Sequence, residues 1–369
     1  MNPAAERAAP RQLMVVAAGT GGHVMPGLAV AERLRARGWG VSWLGTQTGM
    51  ERALVAPFSI DFDAVPFSGM RGKGVRGSVF GAVNLVRAFV ASRQAIRRRR
   101  PDVVFATGGY VAVPAGVAAA TQRVPFALLN ADASPQLSMR ILRPMTSTLL
   151  CGFEGEASRL AGSKGIVTGA PVRPRIAALA SPEQRLAARQ GPLHLLVIGG
   201  SLGSRVLNET VPAALAMLPA ERRPRVVHQC GGAHVADTRA AYASAAVEAE
   251  VCGFIEDVAS CYEEADLVVC RAGAITVSEL CAAGVAAILV PFVVSTTDHQ
   301  RFNAEFLASR GAALHMPQDQ FRAQALARVL GSLTRGELAQ IASRARSLGH
   351  PDATAAVAHA IEALAQARP

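Results

Sequence analysis

Short apolar runs bounded by glycine, proline or charge recur along the first half of the chain, at residues 13–18, 41–44, 103–106 and 126–129. Runs of this length with little polar alternation predict strands buried on both faces, as in a parallel sheet. Between the first two, residues of about 26–37 carry helical spacing, so the pattern is strand, helix, strand. It resumes after Pro171-Val-Arg-Pro174, with further buried strands expected at 193–198, 267–269 and 287–290. Pro171, Pro174 and Pro182, with the polar stretch 181–191, predict a linker. The expected fold class is α/β, with two Rossmann-like, doubly wound parallel-sheet domains at 1–172 and 173–350. An Ala-rich helix within 351–369 is expected to pack back on the first domain.

At 369 residues the chain exceeds what one compact core supports. Half of the residues are hydrophobic and 18% are charged, which excludes a disordered chain. No apolar run reaches the ~18 residues of a bilayer span; the nearest, 281–294, holds Gly284 and Pro291. Residues 1–12 lack the apolar segment of a secretory signal, so the protein is expected to stay in the cytoplasm. The six cysteines show no C-x-x-C pairing and read as small buried hydrophobes rather than metal ligands or disulfides.

The net charge of +11 is unevenly placed. From Ala64 to Pro101 there is no acidic residue, while nine basic ones occur: Arg71, Lys73, Arg76, Arg87, Arg93 and Arg97 to Arg100. Such a field attracts a polyanion, an anionic membrane face or a diphosphate. Phe80, Val83, Val86, Phe89, Val90 and Ile96 accompany these arginines at roughly helical spacing. That pattern suits a helix resting on anionic lipid and equally one buried against a sheet. Without interleaved base-stacking aromatics, the stretch does not read as a nucleic-acid site.

Candidate chemistry clusters at glycine turns. Gly19-Thr-Gly-Gly-His23 follows the first strand and precedes a helix, an arrangement whose free N–H groups and dipole attract phosphate, although the glycines also serve simply as a tight turn. It is neither a G-x-G-x-x-G nor a Walker sequence. His23 stands where open α/β sheets bind ligands, and an imidazole exchanges protons near neutrality, so it is a candidate general base. In the second half, Gly199-Gly-Ser201 repeats the arrangement, and two such turns suit a nucleotide diphosphate in an interdomain cleft. After another strand, Arg271 to Glu279 supplies a turn that would present the Ala274 and Ile275 amides to a phosphate, with Glu279 reaching a sugar hydroxyl or merely starting a helix well. Asp298-His-Gln300 and Asn303 would read further hydroxyls or cap their helix. Asp61-Phe-Asp63 matches the D-x-D of metal-held nucleotide sugars but is expected by chance.

Taken in order, Gly19 to Gly27, Gly69 to Gly74, Gly108-Gly-Tyr-Val111, Gly199 to Ser201, Phe254 to Asp257, Arg271 to Glu279 and Asp298-His-Gln-x-x-Asn303 resemble the MurG family of glycosyltransferases. The resemblance implies a GT-B fold and inverting transfer of N-acetylglucosamine from UDP-N-acetylglucosamine to undecaprenyl-diphosphate-linked N-acetylmuramoyl pentapeptide, in peptidoglycan synthesis and without a metal or other cofactor. It implies a peripheral enzyme on the cytoplasmic side of the membrane, touching anionic lipid through Arg71, Lys73, Arg76, Phe80 and Arg87, with cell-wall and division proteins as further partners. By motif, Ile255 would hold the uracil, Glu279 the ribose, and Arg173, Ser201, Ala274 and Ile275 the diphosphate. His299, Gln300 and Asn303 would meet the donor sugar. His23 is the implied base, Thr20, Gly21 and Gly22 would line the acceptor diphosphate beside the donor, and Gly19, Gly109, Tyr110, Asn130 and Asp132 complete the acceptor side.

The chain departs from the family where His-Glu-Gln-Asn is usual and Leu129-Asn-Ala-Asp132 stands, and where a usual Gln is Leu202. Ala112-Val113 likewise replaces a usual Ser-Gly. These changes keep two other readings open: a related transferase using another lipid acceptor, and a non-catalytic nucleotide-sugar-binding scaffold. An NAD-dependent oxidoreductase, argued from glycine turns alone, lacks the full fingerprint.

Overall fold

A computed structural model describes residues 10–19, 21–66, 75–187, 189–200, 202–292 and 298–367, apart from the side chains of 75–82. The chain forms two compact units. The first holds residues up to 131, 135–171 and the stretch from Asp352 onward; the second holds 132–134 and 172–351. The units therefore divide between 171 and 172 and between 351 and 352, and residues 132–134, which the sequence places at 1–172, cluster with the second unit.

In the first unit, strands β1 (Gln12–Val16), β2 (Gly40–Thr46), β3 (Asp61–Val65), β4 (Val103–Ala106), β5 (Phe126–Asn130), β6 (Thr148–Cys151) and β7 (Gly165–Val167) form one parallel sheet. The order is β3-β2-β1-β4-β5-β6-β7, so the winding reverses between β1 and β4. Helices α1 (Gly21–Arg35), α2 (Glu51–Val55) and α3 (Val75–Arg99) follow β1, β2 and β3. Helix α1 begins at Gly21 rather than near Pro26. A proline in the second turn forfeits a single helical hydrogen bond, and two glycines accept helical backbone ahead of it. The C-terminal helix Ala353–Gln366 packs on α1, where Arg37 pairs with Glu362 at 2.6 Å.

In the second unit, β8 (His194–Ile198), β9 (Arg225–Gln229), β10 (Glu250–Cys252), β11 (Leu267–Cys270), β12 (Ala286–Leu289) and β13 (Leu314–His315) form a parallel sheet in the order β10-β9-β8-β11-β12-β13. Its winding reverses between β8 and β11. Each core is the sheet's own apolar strand faces covered by helices: Met14, Val16, Val104 and Leu128 in the first unit, and Leu195, Val197, Val269 and Ile288 in the second. The expected linker is partly helical, at Pro174–Ala177 and Pro182–Leu186. Each of these helices starts at a proline, which is tolerated at a first helical position and so made the stretch read as a loop.

Candidate active site

Doubly wound sheets bind ligands beyond the carboxyl ends of the strands that flank the reversal. In the first unit those strands lead into the turns at Gly19 and Gly108. Gly19 has φ +100° and gives its N–H to the Glu51 carboxylate at 3.2 Å, so this amide is not presented to a ligand as expected. Glu51, fully buried at the start of α2, also accepts from the Thr46 N–H at 2.7 Å and the Thr46 hydroxyl at 2.5 Å. It was not among the candidates. An acid in a first helical turn is an ordinary sequence feature, and only the fold brings it 32 residues back to the turn.

His23 lies in the first turn of α1, where its Nδ1 sits 3.0 Å from the Thr107 carbonyl and the Thr107 hydroxyl donates to the His23 carbonyl at 2.7 Å. A carbonyl only accepts, so Nδ1 carries the proton and Nε2 keeps its lone pair. That nitrogen faces the second turn: a Cβ placed on Gly109 would stand 3.6 Å from it. Gly108, at φ +96°, holds a backbone that L side chains rarely adopt, and a Cβ there would also press on Gln136 Oε1 at 2.5 Å. Tyr110 is on the rim, partly exposed, and Gly21 and Gly22 open α1 with helix-start amides. Asn130 is fully buried and accepts the Gln136 N–H at 2.8 Å. Thr20 lies outside the described residues.

In the second unit the helix Ala274–Ala283 starts directly after β11, with Gly273 as N-cap, so the Ala274 and Ile275 amides are helix-start donors. Glu279 is buried in this helix, with 5% of its surface exposed. Its Oε1 accepts from Arg173 Nε at 3.0 Å and Nη2 at 2.9 Å, and its Oε2 takes the Tyr262 hydroxyl at 3.5 Å. Burial pushes the Glu279 carboxyl above its ordinary range, against the opposing pull of Arg173 and Tyr262. Ile255 is buried, beside an exposed Phe254, and its main chain makes no hydrogen bond to another described residue. The Gly199 turn is pinned by its N–H to the Gln229 carbonyl at 3.1 Å, whereas Ser201 lies outside the described residues. Leu202 is 77% exposed.

Two expectations change at the helix His299–Ala308. Asn303, expected to meet a sugar, is fully buried and committed: its Nδ2 donates to Asp132 Oδ1 at 2.8 Å and to the Ala272 carbonyl at 3.0 Å, and its Oδ1 accepts the Ala133 N–H at 2.8 Å. Asp132, expected on the acceptor side, is thereby held in the second unit with residues 132–134. His299 contacts the Ser134 hydroxyl at 3.2 Å, and Gln300 accepts the Phe292 N–H at 2.8 Å. A polar residue in the first two turns of a helix reads alike whether it faces a ligand or a distant loop, which is why sequence did not separate these cases.

The basic stretch divides. Arg71 and Lys73 lie outside the described residues, and Arg76 and Phe80 fall in α3 where side chains are not described. Farther along α3, Val83, Val86, Arg87 and Val90 are exposed on one face, while Ile96 is buried and Phe89 packs on the core. Arg98 pairs with Asp63 at 2.5 Å, and Arg99 pairs with Asp63 at 2.8 Å and with Asp61. The D-x-D carboxylates are thus spent on ion pairs. Among the described residues no cluster of three or more metal-ligating side chains occurs, and no helix is long and apolar enough to cross a membrane.

Residues 13–149 match the glycosyltransferase family 28 N-terminal domain and 194–362 the family 28 C-terminal domain. The chain is 52% identical over 357 residues to a Chromobacterium violaceum protein named UDP-N-acetylglucosamine--N-acetylmuramyl-(pentapeptide) pyrophosphoryl-undecaprenol N-acetylglucosamine transferase, covering 96% of this chain and 99% of that one. It is 50% identical over 354 residues to the protein of the same name from Janthinobacterium sp. strain Marseille, with the same coverage. The crystal structure of Acinetobacter baumannii MurG aligns with a TM-score of 0.81 at 35% identity, over 96% of this chain and all of that one. The calicheamicin glycosyltransferase CalG4 shares the fold, at a TM-score of 0.69 and 16% identity.

Proposed function

The chain belongs to the MurG family of glycosyltransferases, and from that premise we propose how its residues divide the family's reaction. It is a UDP-N-acetylglucosamine-dependent transferase that adds N-acetylglucosamine to the N-acetylmuramoyl pentapeptide carried on undecaprenyl diphosphate. Ile255 holds the uracil through its main chain, and Glu279 receives the ribose hydroxyls. The Ala274 and Ile275 amides, with Arg173 and Ser201, take the diphosphate, and the helix start steadies the charge that develops on departing UDP. His299 and Gln300 stand beside the donor sugar, and Asn303 keeps 132–134 in place behind them.

On the acceptor side, His23 Nε2 removes the proton of the muramoyl 4-hydroxyl as that oxygen attacks the anomeric carbon opposite UDP, which inverts the centre. The His23–Thr107 hydrogen bond carries this reading, because it leaves the basic nitrogen on the side of the Gly109 turn. Gly21, Gly22, Gly109 and Tyr110 border the acceptor. No metal takes part, a reading supported by the arginine partners of Asp61 and Asp63. The protein works as a peripheral protein on the cytoplasmic face of the membrane, touching anionic lipid through the exposed face of α3. The test is disaccharide formation and UDP release from UDP-N-acetylglucosamine and a soluble prenyl-diphosphate acceptor analogue, with and without a chelator. Product that survives chelation and forms far more slowly in both His23→Ala and Glu279→Ala at limiting donor is expected; donor binding without product in the wild type would redirect the acceptor reading.

A further inference from the structure

Tyr262 lies in the helix Val258–Glu264 with 1% of its surface exposed. A phenol buried so deeply requires a partner for its O–H, and the one it has is Glu279 Oε2, at a long 3.5 Å. Both Arg173 nitrogens converge on the other oxygen, Oε1. One guanidinium pins Oε1, but the carboxylate plane can still tilt together with that arginine, because the last torsion of a glutamate has a broad preference. The phenol supplies a second point, on Oε2, that resists this tilt. Its own placement is fixed from behind: Arg185 Nη1 donates to the Tyr262 carbonyl at 3.0 Å, and Nη2 donates to those of Ala283 at 2.7 Å and Gly284 at 2.5 Å. One guanidinium thus ties the end of the Tyr262 helix to the end of the Glu279 helix and sets the spacing across which the phenol meets the carboxylate.

We propose that Tyr262 is a positioning residue for ribose recognition, its hydroxyl fixing Glu279 Oε2 so that the donor site distinguishes ribose from deoxyribose. The inference rests on the reading that Glu279 receives the ribose hydroxyls. A fixed carboxylate plane meets two hydroxyls on adjacent ring carbons with both oxygens at once, whereas a tilting one meets them singly.

The test is calorimetric titration of the full chain with UDP, 2′-deoxy-UDP and 3′-deoxy-UDP, in the wild type, Tyr262→Phe and Glu279→Gln. Phenylalanine keeps the ring and its packing, so Tyr262→Phe is expected to melt within a few degrees of the wild type. It should bind UDP about 5-fold more weakly while its affinity for the disfavoured deoxy analogue stays unchanged, so that discrimination contracts. The phenol also favours the ionised carboxylate, so the weakening of UDP binding with acid should begin at a higher pH in the variant. Equal weakening toward all three nucleotides, the mark of a packing role, would overturn the proposal, as would unchanged UDP affinity. The underlying reading fails separately: a wild type that binds all three alike, or a Glu279→Gln protein that keeps full discrimination, removes the ribose from Glu279 whatever Tyr262→Phe does.

Discussion

The two units share a strand order around the reversal of the sheet and place a glycine turn at the end of each flanking strand, yet they equip these turns differently. At the β1–β4 reversal, a buried carboxylate from α2 takes the Gly19 amide and an imidazole is oriented by a backbone carbonyl. At the β8–β11 reversal, a helix start offers free amides and a carboxylate is held between an arginine and a phenol. The first arrangement suits moving a proton, and the second suits gripping a nucleotide. Topology decides where chemistry sits, and the side chains that close over each turn decide which chemistry it is.

If that contrast is real, damage at the two reversals should separate cleanly. His23→Ala is expected to lower kcat by about 10²- to 10⁴-fold, the span of a lost general base, with UDP affinity unaltered. Glu279→Ala is expected to weaken UDP binding by about 10- to 100-fold through the loss of hydrogen bonds to a charged group. Single-turnover rates and UDP titrations on the same preparations check both. A His23→Ala protein that loses nucleotide affinity would end the division.

What could be read from sequence follows the same contrast between local and distant order. The strands that stood out, β1, β2, β4, β5, β8, β11 and β12, lie in the sheet interiors, where both faces demand apolar residues. Strands β3, β7, β10 and β13 are at or next to sheet edges and are either short or, like Asp61–Val65, carry charge on one face, so no apolar run announced them. Strands β6 and β9 were also missed, β9 because arginine, histidine and glutamine interrupt it. Turn residues such as His23 and Ala274 could be located because glycine marks the turn itself. Their partners could not. Glu51 reaches Gly19 across 32 residues and Asn303 reaches Asp132 across 171, separations that no local pattern encodes.

The units should also part in acid. In the second, His228 is buried between β9 and its covering helices, where Asn208 spends its Nδ2 on the Cys230 carbonyl and so offers Oδ1 to His228 Nε2 at 3.1 Å. Nδ1 then accepts from the Tyr242 hydroxyl at 2.9 Å, which makes the ring neutral. Burial lowers its pKa from 6.5 to about 4. Below the ordinary value the unfolded chain binds a proton that the folded chain refuses, so stability falls as pH drops from 6.5 to about 4, by about 3 kcal/mol in all. The described histidines of the first unit, His23 and His359, are not buried. Hydrogen exchange followed by peptide should show β8 and β9 amides losing protection over that window while β1 and β4 hold theirs; parallel losses would mean that other groups govern acid unfolding.

A smaller effect, confined to the first unit, is expected at Glu51. Glutamine there would turn an amide NH₂ toward N–H and O–H donors that now meet carboxylate oxygens, costing about 2 kcal/mol of stability. Because Gly19 hangs on that carboxylate, KM for the acceptor should rise several-fold while UDP affinity stays at the wild-type value. Thermal unfolding and steady-state kinetics with both substrates varied check this, and a rise in donor KM instead would detach Glu51 from the acceptor side.

The smallest effect tests which positive charges of α3 are available to lipid. Arg98 and Arg99 are already neutralised by Asp61 and Asp63, whereas Arg87 stands exposed between Val83, Val86 and Val90. A basic residue near an anionic surface contributes about 1 kcal/mol, so Arg87→Gln should weaken binding to phosphatidylserine vesicles by about 5-fold. Arg98→Gln should leave vesicle binding nearly unchanged and lower thermal stability slightly, since it deprives the buried Asp63 of one of two partners. Both variants should bind UDP as the wild type does. Equal losses of vesicle binding in the two would show that net charge, rather than the placement of exposed arginines on one helical face, governs any attraction to anionic lipid.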